Sequence, residues 1–324
     1  MSTATTEAGR SLSAELPPPY MVLGRSAGEN FPVASRLLPP ELRADLMALY
    51  GWARLVDELG DNFAGDRLGA LDEVERQLRA CLEAGAGAGA PPGTYPLVAR
   101  MAETVRRRAL PVQPLYDLAQ ANRQDQAVHT YATLEELVGY CRLSADPVGR
   151  MVLAIFGVTT PERVAWSDRI CTALQLIEHW QDVAEDAIVG RIYVPREDLA
   201  RFGIKADELV PPPVAARGWV PPTGAQRASW GSSAECRALM AFECARARRM
   251  LESGEPLVAS VKGRLRVAIA GFVAGGHAAL DALAAIDFDI YADTARPSPR
   301  RVAFHMARLL AAGATGRTAS GDQR

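Results

Sequence analysis

The chain predicts an all-α fold. Apolar residues recur at three- and four-residue spacing over most of its length, and these stretches open at cap-type residues or prolines and close at glycine or proline clusters. Alternating strand patterns are nearly absent. Roughly ten to fourteen helices in one domain over residues 20–312 are expected, with polar tails at 1–19 and 313–324. The length of 324 residues, with 48% hydrophobic and 23% charged, allows a large core. A net charge of −2 argues against nucleic acid as the main partner. The five cysteines are an odd number with no CxxC, so neither a disulfide framework nor a zinc cluster is indicated, and a reducing cytoplasm is the simplest setting. Residues 1–19 lack the basic and apolar regions of a signal peptide. No apolar run is expected to span a membrane; the nearest, Val267 to Leu280, is interrupted by glycines and His277 and reads as a core helix.

Taken in order, Pro39 and Pro40 mark the start of a helix that continues through Ala44 to Asp61. Leu68 to Glu83 is amphipathic and runs into AGAGAGAPPG, Ala84 to Gly93. A helix precedes this run and prolines follow it, so it reads as a loop and not as a dinucleotide-binding turn. Tyr95 to Leu110 and Pro114 to Gln126 are two further helices. Thr133 and Glu136 have capping-box spacing before the helix carrying Tyr140 and Cys141, and Pro147 should break that pattern near Ala145. Ala173 to Pro195 reads as a buried central helix. Residues 210–233 are rich in Pro, Gly and Ser and suggest an exposed loop. Helices are expected again over Ala234 to Ser253, Pro256 to Asp287 and Ser298 to Ala312.

Two of these helices carry acid on otherwise apolar surfaces. In the central one, Glu178, Asp182 and Asp186 fall at i, i+4 and i+8, with Glu185 beside them. Like charges at that spacing destabilise a helix, and more so when desolvated, so a cation should sit against them. In the earlier helix Tyr50, Arg54, Asp57 and Asp61 fall within roughly 60° of one another at about 100° per residue. A single DxxxD is usually a solvated face. Two of them, each on a helix that is otherwise apolar, point to oxygen ligands for a hard divalent cation such as Mg²⁺, shared with a diphosphate if a tertiary fold closes one stripe over the other.

The segment ARLVDELGD, Ala53 to Asp61, is similar to the first aspartate-rich motif of the squalene/phytoene synthase family, and LQLIEHWQDVAEDAIVGRIYVP, Leu174 to Pro195, resembles the second. Gly139 to Cys141 also match, and the similarity covers about Gly28 to Leu309. Within the family, ENFPVASRLLP (Glu29 to Pro39), YCRLSADPVGR (Tyr140 to Arg150) and the Trp180-Gln181 pair resemble the hydroxysqualene synthase branch of bacterial hopanoid and squalene biosynthesis.

That resemblance implies the isoprenoid-synthase helical fold with a central cavity, and Mg²⁺ bridging both motifs to the diphosphate of presqualene diphosphate. By carry-over, Asp57, Asp61, Asp182 and Asp186 are catalytic metal ligands, with Glu178 a further ligand. Tyr140 lines the pocket as a further catalytic candidate, and Arg54, Tyr50, Glu178, Gln181 and Arg191 are substrate-binding candidates. The chain departs from the family at Glu178, usually Asn, at Gln181, often Arg, at Glu29 to Phe31, and at Gly275 or Gly276 in place of an aromatic residue. Fewer groups for a second diphosphate and a roomier pocket fit an enzyme taking one preformed C30 diphosphate. Ionisation, rearrangement and water capture would then give hydroxysqualene and diphosphate, with Glu178, His179 and Tyr140 all open as the group that places the water. The rival within enzymes is a head-to-head condensing squalene or phytoene synthase acting on two prenyl diphosphates. An iron-binding bundle is disfavoured because none of the four histidines has a glutamate three residues before it. The partners implied are an isoprenoid diphosphate, the pathway enzyme that makes it, and a transient bilayer contact made by a cytoplasmic protein handling lipids.

Overall fold

A computed structural model of the chain describes residues 16–23, 38–85, 89–211, 231–292 and 295–315. Most of the expected tails, Glu29 to Phe31 and residues 212–230 of the Pro/Gly-rich loop lie outside the described residues. Fourteen α-helices and one 3₁₀ turn make up the regular structure described, and the strand-like pairing among these residues is one isolated bridge, Thr130 with Ile192. The chain divides into two compact units, Met1–Gln126 and Ala127–Arg324.

The first unit holds α1 (Pro19–Leu23), α2 (Pro40–Asp61), α3 (Arg67–Glu83), α4 (Pro96–Arg108) and α5 (Gln113–Gln124). Helix α2 is its axis and packs against the other four. Pro40 at its first position suits a backbone that has no N–H to leave unsatisfied there. Its inner face places Trp52, Leu55, Val56 and Leu59 in full burial, facing a core shared with Leu71, Val74, Leu78, Met101 and Leu115. The Trp52 indole Nε1 donates to the Leu115 carbonyl at 3.1 Å, so the largest side chain of this core is also hydrogen-bonded across it. Asp45, fully buried, is held by the guanidinium groups of Arg107 and Arg108 at the end of α4.

The second unit holds α6 (Leu134–Ser144), α7 (Asp146–Ile155), α8 (Pro161–Gln181), α9 (Val183–Ile188), α10 (Arg196–Phe202), the 3₁₀ turn Ala206–Leu209, α11 (Ala234–Gly254), α12 (Pro256–Ser260), α13 (Gly263–Ala285) and α14 (Pro299–Thr315). Helix α8 lies at its centre, packed on α6, α7, α11, α12 and α13. Close approach of α11 to α8 depends on Gly254: a Cβ there would stand 2.6 Å from Ile170 Cγ1 and 2.8 Å from the Trp166 carbonyl oxygen. The kink expected from Pro147 is present, with α6 ending at Ser144 and α7 starting at Asp146.

Four expectations need correction. Ala173 to Pro195 is not one helix: α8 begins at Pro161, capped by the Thr160 side chain, and stops at Asp182, whose φ of −107° and ψ of 12° leave the helical region before α9 begins. No glycine or proline marks this break, which falls where the carboxylates crowd. Pro256 to Asp287 is likewise two helices, because Val261 and Lys262 are extended and Gly263 sits at φ +61°, where a side chain is strained. The capping box is half formed: Thr133 accepts from the Glu136 N–H at 3.2 Å, but Glu136 Oε2 takes the Ala132 N–H at 2.7 Å, not that of Thr133. Finally, α13 has 23 residues and enough apolarity to cross a membrane; more than half of its apolar window is buried within this unit, as for the core helix the sequence suggested.

Candidate active site

In the first unit the outer edge of α2 presents Arg54, Asp57 and Asp61 one turn apart. Arg54 Nη1 lies 3.7 Å from Asp57 Oδ2. Asn122 on α5 donates from Nδ2 to Asp57 Oδ1 at 3.4 Å and to the Leu118 carbonyl at 3.1 Å. Gly60 makes that approach possible, because a Cβ at this position would overlap the Asn122 side-chain oxygen. Asp61 is exposed and Tyr50 is buried. Asn122 was not anticipated: its position follows from the α2–α5 crossing, which no local spacing encodes.

In the second unit the acid row survives the helix break. The Asp182 N–H donates to the Glu178 carbonyl at 3.1 Å and the Asp186 N–H to the Asp182 carbonyl at 2.8 Å, so all three side chains leave the same side. Glu178 and Glu185 are exposed, whereas Asp182 and Asp186 are half-buried. Burial, and then the neighbouring Glu185, push the Asp182 carboxyl up to about 6. Burial first and Asp182 second push Asp186 up to about 7, with Arg191 pulling the other way and Glu178 and Glu185 adding to the rise. Arg191 is brought there by a Schellman turn. Gly190, at φ +80°, donates to the Ala187 carbonyl at 3.1 Å, and the Arg191 N–H returns to the Asp186 carbonyl at 2.9 Å. Gln181 spends its Nε2 on the Ala295 carbonyl at 2.7 Å.

Beneath this row lies an aromatic cluster. After the turn the chain runs beside residues 129–132, with the Ile192 N–H on the His129 carbonyl at 2.8 Å and the Arg196 N–H on that of Tyr131 at 3.0 Å. Tyr193 therefore stacks on His179 at 3.7 Å between centroids and on Tyr131 at 6.0 Å, and Tyr140 packs against all three. His179 is kept neutral by burial, which lowers it to about 3, and its Nε2 is buried without a hydrogen-bond partner. A narrow crevice is lined by His179, Val183, Asp186, Ile192, Tyr193, Val194 and Leu209. Tyr131 and Tyr193 escaped the sequence reading, since only the long-range pairing of 129–132 with 192–197 gathers them. Of the adjacent glycines Gly275 and Gly276 on α13, Gly276 is packed against Leu174 and Leu251, whereas a Cβ on Gly275 would meet nothing within 4 Å.

The chain matches the squalene/phytoene synthase family over residues 25–308. It belongs to that family. The hydroxysqualene synthase of Zymomonas mobilis is 36% identical over 189 residues, covering 56% of this chain and 59% of that protein, so the chain spans about three fifths of the length of this relative. The solved squalene synthase HpnC of Alicyclobacillus acidocaldarius is 37% identical, covers 86% of this chain and 99% of its own, and superposes with a TM-score of 0.69. A dehydrosqualene synthase at 20% identity, over 94% of this chain and 98% of its own, has a TM-score of 0.73 and supports the fold alone.

As a family member the chain offers oxygen donors suited to Mg²⁺. Among the described residues no three acidic, histidine or cysteine side chains converge on one point as a closed cage would. Mg²⁺ is commonly held by one or two carboxylates with waters and substrate phosphates completing the shell, and the Asp182–Asp186 pair has that character. The raised carboxyls give this a pH signature. Their folded values lie above the unfolded value of about 3.9, so the stability they contribute is fully present below about pH 4 and is lost as pH rises through about 6 to 7. A divalent cation takes only the ionised forms. Mg²⁺ binding near pH 6 should therefore release protons, and release should fade by about pH 8. Calorimetric titration in two buffers of different ionisation enthalpy reads this directly; proton release independent of pH would remove these carboxyls from the metal's shell.

Proposed function

We propose that this protein ionises presqualene diphosphate and delivers water to the resulting cation, giving hydroxysqualene and inorganic diphosphate. The observation that carries the reading is the Asp182–Asp186 row with Arg191 beside it, set over the aromatic cluster, in a chain 36% identical to a hydroxysqualene synthase over 56% of its length. Mg²⁺, once bound, neutralises the charge that grows on the departing diphosphate. Asp182 and Asp186, with Glu178 at the edge, would hold such an ion in the second unit, and Asp57 and Asp61 would offer oxygen ligands of the same kind on α2. Arg54 and Arg191 donate hydrogen bonds to diphosphate oxygens. The C–O bond to the diphosphate breaks and its electron pair leaves with the diphosphate. The cyclopropylcarbinyl cation left behind rearranges with opening of its ring, a water oxygen then bonds to the cationic carbon, and the proton it loses passes to solvent. The faces of Tyr131, Tyr140 and Tyr193 carry negative charge density suited to a passing cation, and their bulk excludes stray water. No reductant is required.

The deciding experiment incubates the purified protein and Mg²⁺ with presqualene diphosphate, or with farnesyl diphosphate alone, in ¹⁸O-water without NADPH. One ¹⁸O per C30 alcohol and one diphosphate per substrate are expected from presqualene diphosphate. Consumption of farnesyl diphosphate with presqualene diphosphate untouched would instead establish the condensing reaction.

A further inference from the structure

Helix α14 shows two different faces. Its inner face is fastened to α12 and α13: His305 Nε2 meets Asp281 Oδ2 at 2.8 Å, Arg301 Nη1 meets the same oxygen at 3.4 Å, and Arg308 Nη2 meets Glu255 Oε1 at 2.6 Å. Arg266 on α13 adds a bond from Nη2 to the Leu310 carbonyl at 2.6 Å, and Leu309 is buried beneath. The helix is thus held firmly and its outer face is fixed in direction. That face carries Arg300 and Phe304 one turn apart, with Arg308, already paired with Glu255, at its edge. Phe304 is 62% exposed, among the largest apolar exposures described.

The charge around this stripe is one-sided. Residues 295–315 contain four arginines and no aspartate or glutamate, in a chain whose net charge is −2. The carboxylates bonded to this helix are Asp281 and Glu255, and Asp281 is already shared with Arg248. Arg248, Arg296, Arg300, Arg301 and Arg308 against those two acids leave an excess of three positive charges. Among the described residues no acid pairs with Arg296 or Arg300. An ordinary solvated face mixes both signs and keeps aromatic rings inside. An aromatic ring with Arg300 one turn before it and Arg296 just ahead of the helix suits a surface that is negative at its headgroups and apolar just below.

We propose that the outer face of α14 docks on the anionic headgroups of a phospholipid bilayer, with Phe304 inserted among the acyl chains. This stands apart from the reaction assigned above, and turnover in detergent micelles does not depend on it. The test is co-flotation of the purified chain with vesicles of phosphatidylcholine alone or with about one third phosphatidylglycerol. Binding is expected to the anionic vesicles and not to the neutral ones, and to weaken with salt. At about fivefold per arginine, the Arg296→Gln/Arg300→Gln double variant should partition about 25-fold less. Phe304→Ser should weaken binding while leaving its salt dependence in place. All these side chains are exposed and circular dichroism should be unchanged, so lost binding reports the surface and not the fold. Equal binding to neutral vesicles, no binding to either, or a double variant that binds as the parent does would each overturn the proposal, the last pointing to another surface.

Discussion

Asp186→Asn should lower turnover of the prenyl diphosphate by at least about 10²–10³-fold, the range for removing a group that stabilises charge growing in a transition state. The same change should not unfold the protein. Asp186 carries its charge at a cost, with burial and Asp182 holding its carboxyl up to about 7. A neutral isostere relieves the repulsion at pH 7.5 to 8. Discounted for its partial exposure, the relief is on the order of 1 kcal/mol, or a rise in Tm of roughly 2–4 °C without metal. Loss of activity together with gain of stability is the signature of a group kept for function. Glu185→Gln, at the exposed neighbouring acid, is the control and should change turnover little. Activity of Asp186→Asn within a few-fold of the parent would remove this residue from the reaction, and a lowered Tm would mark it as structural.

Trp52→Ala is expected to have the largest effect on stability. The indole is fully buried on α2 and donates to the Leu115 carbonyl. Truncation leaves a cavity worth about 3–5 kcal/mol, and it orphans a buried acceptor as well. With a urea slope of about 1–3 kcal/mol/M, the midpoint for the first unit should fall by roughly 1–5 M. Trp52→Phe keeps most of the volume and loses the hydrogen bond, so it should recover more than half of that fall. Because Trp52 lies on the helix that presents Arg54 and Asp57, the Ala variant should also lose activity at temperatures where the parent is intact. A Trp52→Ala midpoint within about 0.3 M of the parent would mean that α2 is not the axis of this unit.

Local signals carried most of the fold into view from the sequence. Pro40 and Pro147 act within one turn of themselves, so the start of α2 and the α6–α7 kink rest on chemistry visible in a short window; the Thr160 cap is equally local but went unread, and the central helix was placed twelve residues late. The acid row was legible for the same reason, being a matter of i, i+4 geometry. The break at Asp182 was not, because no breaker residue stands there. Asn122, Tyr131 and Tyr193 were out of reach as well. Each gains its position from a partner far along the chain, Asn122 from Asp57 and the two tyrosines from each other and from His179. Gly275 and Gly276 are likewise alike in sequence and differ only in what surrounds each one, open space at the first and Leu174 and Leu251 at the second.

The place where α8 stops has an electrostatic consequence. Twenty-one residues of aligned peptide dipoles end at Asp182, and a helix of that length concentrates about half an elementary negative charge at its carboxyl end. The acids there therefore stand in a field that is already unfavourable to them, and a divalent ion would act as the counter-pole that ties α8 to α9. Chelation would then do more than stop turnover: it would loosen the backbone around residues 182–190, where amide hydrogens should exchange faster and a protease should find its first cut.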